Sequence, residues 1–197
     1  MTRFLLVAIA ALSLAACRQD AAADIPAPAK LTADALGHYC QMLVADHAGP
    51  KSQIFLKGVK TPLWFGQVSD AIAYLHNPER DGEIVAFYVT DTARAESWAV
   101  PGEKAWTDGN KAVYVLDSNR KGGMGMPEAV PFASRADAEA FLKDAGGRIA
   151  ALSEVPEGYV RPEIGNGAAM PGMQDMPGMS AMPAGAAAGA MNAKETN

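Results

Sequence analysis

"WFGQVSDAIAYL" at residues 64–75 and "PFASRADAEAFL" at residues 131–142 are one pattern written twice. At an offset of 67, Phe65, Asp70, Ala71, Ala73 and Leu75 meet Phe132, Asp137, Ala138, Ala140 and Leu142, and Tyr74 meets Phe141. In each copy the apolar residues recur at i, i+3 and i+4: Ala71, Tyr74 and Leu75 in the first, Ala138, Phe141 and Leu142 in the second. That spacing makes one face of a short amphipathic helix. Ser69 and Ser134 mark the expected helix starts, and Asn77-Pro78 and Gly146-Gly147 the stops.

Working outward, a strand-like run follows each helix, "EIVAFYV" (83–89) and "RIAAL" (148–152). Before the first helix come "YCQMLV" (39–44) and "SQIFLK" (52–57); before the second come "KAWTDG" (104–109), "KAVYVLDS" (111–118) and "EAVPFA" (128–133). The expected fold class is α+β, two small homologous ββαβ modules over 37–100 and 101–163. Neither module is large enough to bury its apolar face alone, so the two are expected to pack together, with a groove between them as a natural site.

The two ends of the chain differ from this middle. Residues 4–16 are an apolar run behind Arg3, too short for the roughly 20 residues of a membrane span and shaped like a secretory signal. The run ends in Leu14-Ala15-Ala16-Cys17, the pattern of a bacterial lipobox, so 1–16 reads as a lipoprotein signal and Cys17 as the lipidated first residue. Residues 17–36 then form a lipid-anchored linker, and 164–197, rich in Met, Gly, Ala and Pro, a disordered tail. Arg18 after the cysteine favours the outer over the inner membrane, with the domain facing the periplasm. The net charge is −5 with scattered cations, which offers no electrostatic footprint for nucleic acid.

If Cys17 carries lipid, Cys40 is a lone thiol in an oxidising compartment, a liability unless it is buried or used. It lies in "GHYCQM" (37–42), where His38, Cys40 and Met42 alternate; on a strand they would share a face. Donors about 6.5 to 7 Å apart along a strand cannot all hold one ion without a bend, so a further donor from elsewhere is expected. Met124, flanked by Gly122, Gly123 and Gly125, is one candidate and His47 another. Thiolate with thioether is a soft set suited to Cu(I); the chain has too few Cys and His for a closed zinc site and no carboxylate cluster for calcium. Met170, Met173, Met176, Met179 and Met182 recur every third residue, lining one side of a polyproline-like chain as a possible auxiliary copper array.

"GHYCQMLVADHAGPKSQIFLKG", "PLWF", "AFYVTD" and "RKGGMGMPEAVPF" resemble, in order and spacing, the nitrous-oxide reductase accessory lipoproteins of the NosL family. The resemblance covers about Gly37 to Tyr159. It implies a pair of ββαβ modules, Cu(I) as cargo, and delivery to the copper–sulfide centre of nitrous-oxide reductase together with a membrane ABC-type maturation complex. It places the family's cysteine and methionine on Cys40 and Met42, its glycine-flanked methionine on Met124, and histidines on His38 and His47. Gln41 departs from the glycine usual in the family. The chain is thus read as a copper chaperone and not an enzyme, held to the membrane through its lipid anchor only, a monomer or a copper-linked dimer. The rival readings are a thiol-dependent enzyme using Cys40 with a nearby histidine, and an anchored interaction protein without metal.

Overall fold

A computed structural model describes residues 25–102 and 104–160; the expected signal 1–16, Cys17 and the stretch 164–197 with its methionines lie outside the described residues. Within them, the first sheet holds β1 (Ser52–Leu56), β2 (Leu63–Phe65), β3 (Ile84–Thr90) and β4 (Trp106–Asp108) in the order β2-β1-β3-β4. The second holds β5 (Val113–Leu116), β6 (Val130–Phe132) and β7 (Arg148–Ala151) in the order β6-β5-β7. All pairings are antiparallel. Helix α1 (Val68–His76) links β2 to β3, and α2 (Arg135–Ala145) links β6 to β7. Each half is therefore ββαβ, as the duplicated sequence predicts, and the first strand of each lies in the middle of its three. The run 104–109, expected to belong with the second half, supplies β4 and pairs with β3 of the first sheet.

The two helices are used differently. In β5, Val113 and Val115 face α2 with Phe132, Phe141 and Ile149, whereas Tyr114 and Leu116 point the other way. There they join Val68, Ala71, Ile72 and Tyr74 of α1 and Ile54, Leu56, Phe87 and Val89 of the first sheet. Helix α1 is thus packed between both sheets, with Ile72 and Ala71 wholly buried, while α2 covers one face of the second sheet. A closing helix, α3 (Glu157–Val160), adds Val160 to the shared core.

The outer face of the first sheet is covered from the amino side. Ala29 N donates to Gln53 Oε1 (2.7 Å), Gln53 Nε2 returns a bond to Ala29 O (3.2 Å), and Tyr88 OH donates to Pro26 O (2.8 Å). Part of the stretch read as a linker is thereby pinned to the sheet.

Helix ends follow local chemistry in one half only. Ser134 caps α2, its hydroxyl oxygen accepting from Asp137 N (3.2 Å), and Gly146 ends it at φ 66°. Helix α1 begins one residue earlier than its expected start at Ser69, with Gln67 at the cap position and no side-chain cap of its own.

Because α1 is core to both halves, Ile72→Ala removes packing from both sheets at once. It is expected to cost about 2–5 kcal/mol while a single cooperative transition persists. Urea unfolding followed by circular dichroism and tryptophan fluorescence checks this; two separated transitions would contradict a shared core.

Candidate metal centre

The stretch 39–44, expected as a strand, is instead a tight loop. Leu36 and Leu43 form an isolated antiparallel bridge, Gly37 N donates to Met42 O (2.9 Å) and Gln41 N to Gly37 O (2.9 Å). Gln41 lies in the left-handed region at φ 54°, where a glycine carries no Cβ penalty. That is the physical reason a glycine suits this position. Gln41 compensates with its side chain, Nε2 donating to His38 O (2.8 Å) and Gly37 O (3.3 Å). The loop stands on the edge of the first sheet through His38 N, which donates to Trp64 O (2.7 Å).

A loop has no alternating faces, so the expected row of His38, Cys40 and Met42 is not formed by strand geometry. The His38 ring instead lies among Tyr39, Phe65 and Tyr74, at centroid distances of 5.2, 5.7 and 5.3 Å, with Nε2 3.5 Å from Asp81 Oδ2. Cys40 folds back over Gly37: a Cβ at position 37 would stand 2.5 Å from Sγ. The thiol is cradled there and its residue is part-exposed. Met42 is 46% exposed, and Leu36, Tyr39 and Leu43 beside it are also exposed.

The second half brings Met124 to this end of the molecule. Gly122 N donates to Met126 O (2.9 Å) and Gly125 N to Gly122 O (2.9 Å), making a tight turn with Met124 exposed at its tip. The turn packs on His47: a Cβ at Gly123 would lie 2.5 Å from His47 Cβ and 2.9 Å from Ala48 O. On its other side the imidazole meets Gly66, where a Cβ would lie 3.0 Å from Cδ2. His47 Nδ1 faces the Gly123 carbonyl at 3.4 Å, an acceptor that favours the Nδ1–H tautomer. Nε2 is buried with no hydrogen-bond partner among the described residues. A buried lone pair of this kind normally has a partner.

Two buried charges stand behind these donors, and sequence reasoning missed both. Lys51 is 1% exposed and its ammonium donates to the carbonyls of His47, Gly49 (2.9 Å) and Gly66 (3.3 Å). Burial pulls its pKa down to about 8, opposed by the charge of Glu128. Glu128 accepts from Ser69 N (2.9 Å), Val68 N (3.3 Å) and Ala129 N (3.0 Å), and Ser69 Oγ lies 2.9 Å from Oε1. Burial still pushes its pKa up to about 7 against those donors. Pro127 before Glu128 and the flanking apolar residues were the available signal: a lone acid inside a strand-like run.

Among the described residues no three His, Cys, Asp or Glu side chains converge on one point, the arrangement a hard-cation or zinc site would need. What this end presents is one thiol, two exposed thioethers and one buried imidazole nitrogen, a soft set. An open groove of about 710 Å³ at the other end of α1, lined by His76, Ile84, Asn110 and Leu152 among others, holds none of these donors.

A family model described as NosL matches residues 28–160. The chain is 47% identical over 166 residues to the copper-binding lipoprotein NosL of Achromobacter cycloclastes, covering 84% of this chain and 86% of that relative. It is 31% identical over 125 residues to the copper-binding lipoprotein NosL of Stutzerimonas stutzeri, covering 63% of each. The crystal structure of the copper chaperone NosL from Shewanella denitrificans matches with a TM-score of 0.61 at 27% identity, over 66% of this chain and 96% of that one.

Two outcomes follow from the geometry. Gly37→Ala puts a methyl group where the Cys40 thiol lies, so thiol labelling should accelerate while the protein still unfolds cooperatively; an unchanged rate would refute the cradle. Glu128 has its folded pKa raised from 4.5 to about 7, so the folded state binds the extra proton between those values. Stability relative to Glu128→Gln should therefore fall as pH rises from about 4.5 to about 7. Urea titrations of both proteins across that range measure the difference, and a parallel pH dependence would count against it.

Proposed function

The chain belongs to the NosL family, and on that premise we propose that it is a lipid-anchored carrier of Cu(I), loading copper for delivery rather than catalysing a reaction. The observation that carries the reading is the thiol of part-exposed Cys40 in its glycine cradle, on the same loop as an exposed Met42. Copper is cargo here. Cys40 supplies the only negative charge among the donors and anchors the ion; Met42 and Met124 add neutral thioethers that a partner displaces one at a time. Of the two histidines, His47 suits the role of nitrogen donor, since its Nε2 has a free lone pair, whereas His38 is directed at Asp81.

The remaining parts of the proposal rest on sequence and relatives. Cys17 carries the lipid that holds the chain at the periplasmic face, on the outer membrane rather than the inner. The acceptor is nitrous-oxide reductase, whose copper–sulfide centre is assembled with a membrane ABC-type complex. Met170, Met173, Met176, Met179 and Met182 serve as a weak auxiliary array for the same ion. Whether copper joins two copies of the chain is read from the mass of the loaded protein in solution.

The test is a Cu(I) titration against a competing chelator strong enough to keep copper off isolated thioethers. One tight equivalent is expected in the parent protein. Cys40→Ser should lower the affinity by orders of magnitude, and Met42→Leu or Met124→Leu by less. Binding indifferent to Cys40 would refute the mechanism.

A further inference from the structure

Gln67 and Ser134 occupy equivalent positions in the two repeats, each directly before its helix. Ser134 caps α2 from its own position. Helix α1 lacks such a cap, and its first amides, Val68 N and Ser69 N, are taken by Glu128 from the other half of the molecule. A buried helix start leaves backbone donors that must find acceptors. A carboxylate is well suited to that end of the helix dipole. What the first repeat lost in local capping, the second supplies across 60 residues of chain.

The source of that carboxylate matters because of what lies next to it. Lys121 and Pro127 form an isolated antiparallel bridge, so 121–127 is a small hairpin with Met124 at its tip and Glu128 immediately beyond its base. The hairpin lies so close to the helix start that a Cβ at Gly122 would stand 2.6 Å from Gln67 Oε1 and 2.8 Å from Glu128 Oε2. Gln67 turns its side chain to the same hairpin, Oε1 accepting from Met124 N at 3.4 Å, and Nε2 is held by Asp70 Oδ1 at 3.1 Å. Gly123 then rests on His47. Tyr159 OH donates to Glu128 O (3.2 Å), fixing the main chain at the same point.

We propose that Glu128 is a positioning residue for the metal centre: by docking on the amino end of α1 it holds the Met124 hairpin against His47. It touches no cargo itself. Its effect on copper passes through Met124, which is what separates this role from that of a helix cap alone. A cap supports the fold whatever side chain stands at 124; a positioning residue influences copper affinity only while Met124 is there to be positioned. The inference rests on the Cu(I) reading above and adds a residue to it.

The test is a double-mutant cycle on the full chain in detergent, with Cu(I) affinity read by chelator competition and folding by circular dichroism. Glu128→Ala is expected to weaken binding by about 10-fold, the lower end of the usual loss behind a ligand, and by no more than Met124→Leu does. Added to Met124→Leu it should bring no further loss, because the two act through one contact. Glu128→Gln, which leaves a single acceptor oxygen for the helix amides, carries the same cycle if the alanine variant does not fold. An equal loss in both backgrounds, or parental affinity in a folded Glu128 variant, would overturn the proposal. If Cys40→Ser retained parental affinity, the Cu(I) reading itself would fail, a result distinct from either.

Discussion

Helix α1 is buried from both sides, and the rest of the molecule is arranged around that fact. Val68, Ala71, Ile72 and Tyr74 are enclosed by the first sheet and by the inner face of the second. Neither half has a complete core without the helix, so the duplication is cooperative rather than modular. Burying the helix start also carries an electrostatic cost, because its orphan amides cannot reach water. Glu128 meets that requirement, and in doing so ends up buried itself with a pKa near 7. The fold tolerates an awkward carboxyl group in exchange for a joint between its halves.

That joint decides which segments gather at the amino end of α1. The amino end of α1 and the strand leading into it are approached by three segments. The Cys40 loop hangs on Trp64, residues 47–51 pack on Gly66 through His47 and Lys51, and the Met124 hairpin rests on Gln67 and His47. Lys51 works on the first half as Glu128 works on the second, drawing the carbonyls of His47, Gly49 and Gly66 together around one ammonium. Rigid buried charges stand behind, and exposed thioethers stand in front. The proposed carriage of copper would draw on that division, with a thiol to receive the ion and neutral donors near solvent that a partner can replace. The opposite end of α1, with its open groove, has no such chemistry.

Much of this architecture was legible in the sequence. The identities at an offset of 67 forced two like units, and breakers at Asn77-Pro78 and Gly146-Gly147 ended both helices where they were expected. The Cys40 loop was not legible, because His38, Cys40 and Met42 alternate as they would on a strand and period-two spacing carries no record of chain reversal. The clue was Gln41, in a place where relatives were expected to have glycine; a glycine preference means a positive φ, and φ there is 54°. Lys51 and Glu128 are not legible, because a charge in a sequence reads as surface until a fold buries it. The missing cap at Gln67, set beside Ser134 in the repeat, was a second unread sign: a helix start without its own acceptor asks for one from elsewhere.

The proposed carriage of copper requires one soft ion held by sulfur from both halves of the molecule. Copper K-edge X-ray absorption of the Cu(I)-loaded chain, at one equivalent, reads that ligand set. The expected result is a shell dominated by sulfur that loses one sulfur neighbour in Met124→Leu and its short thiolate contribution in Cys40→Ser. A shell of nitrogen and oxygen alone, or a sulfur count unchanged by Met124→Leu, would contradict it.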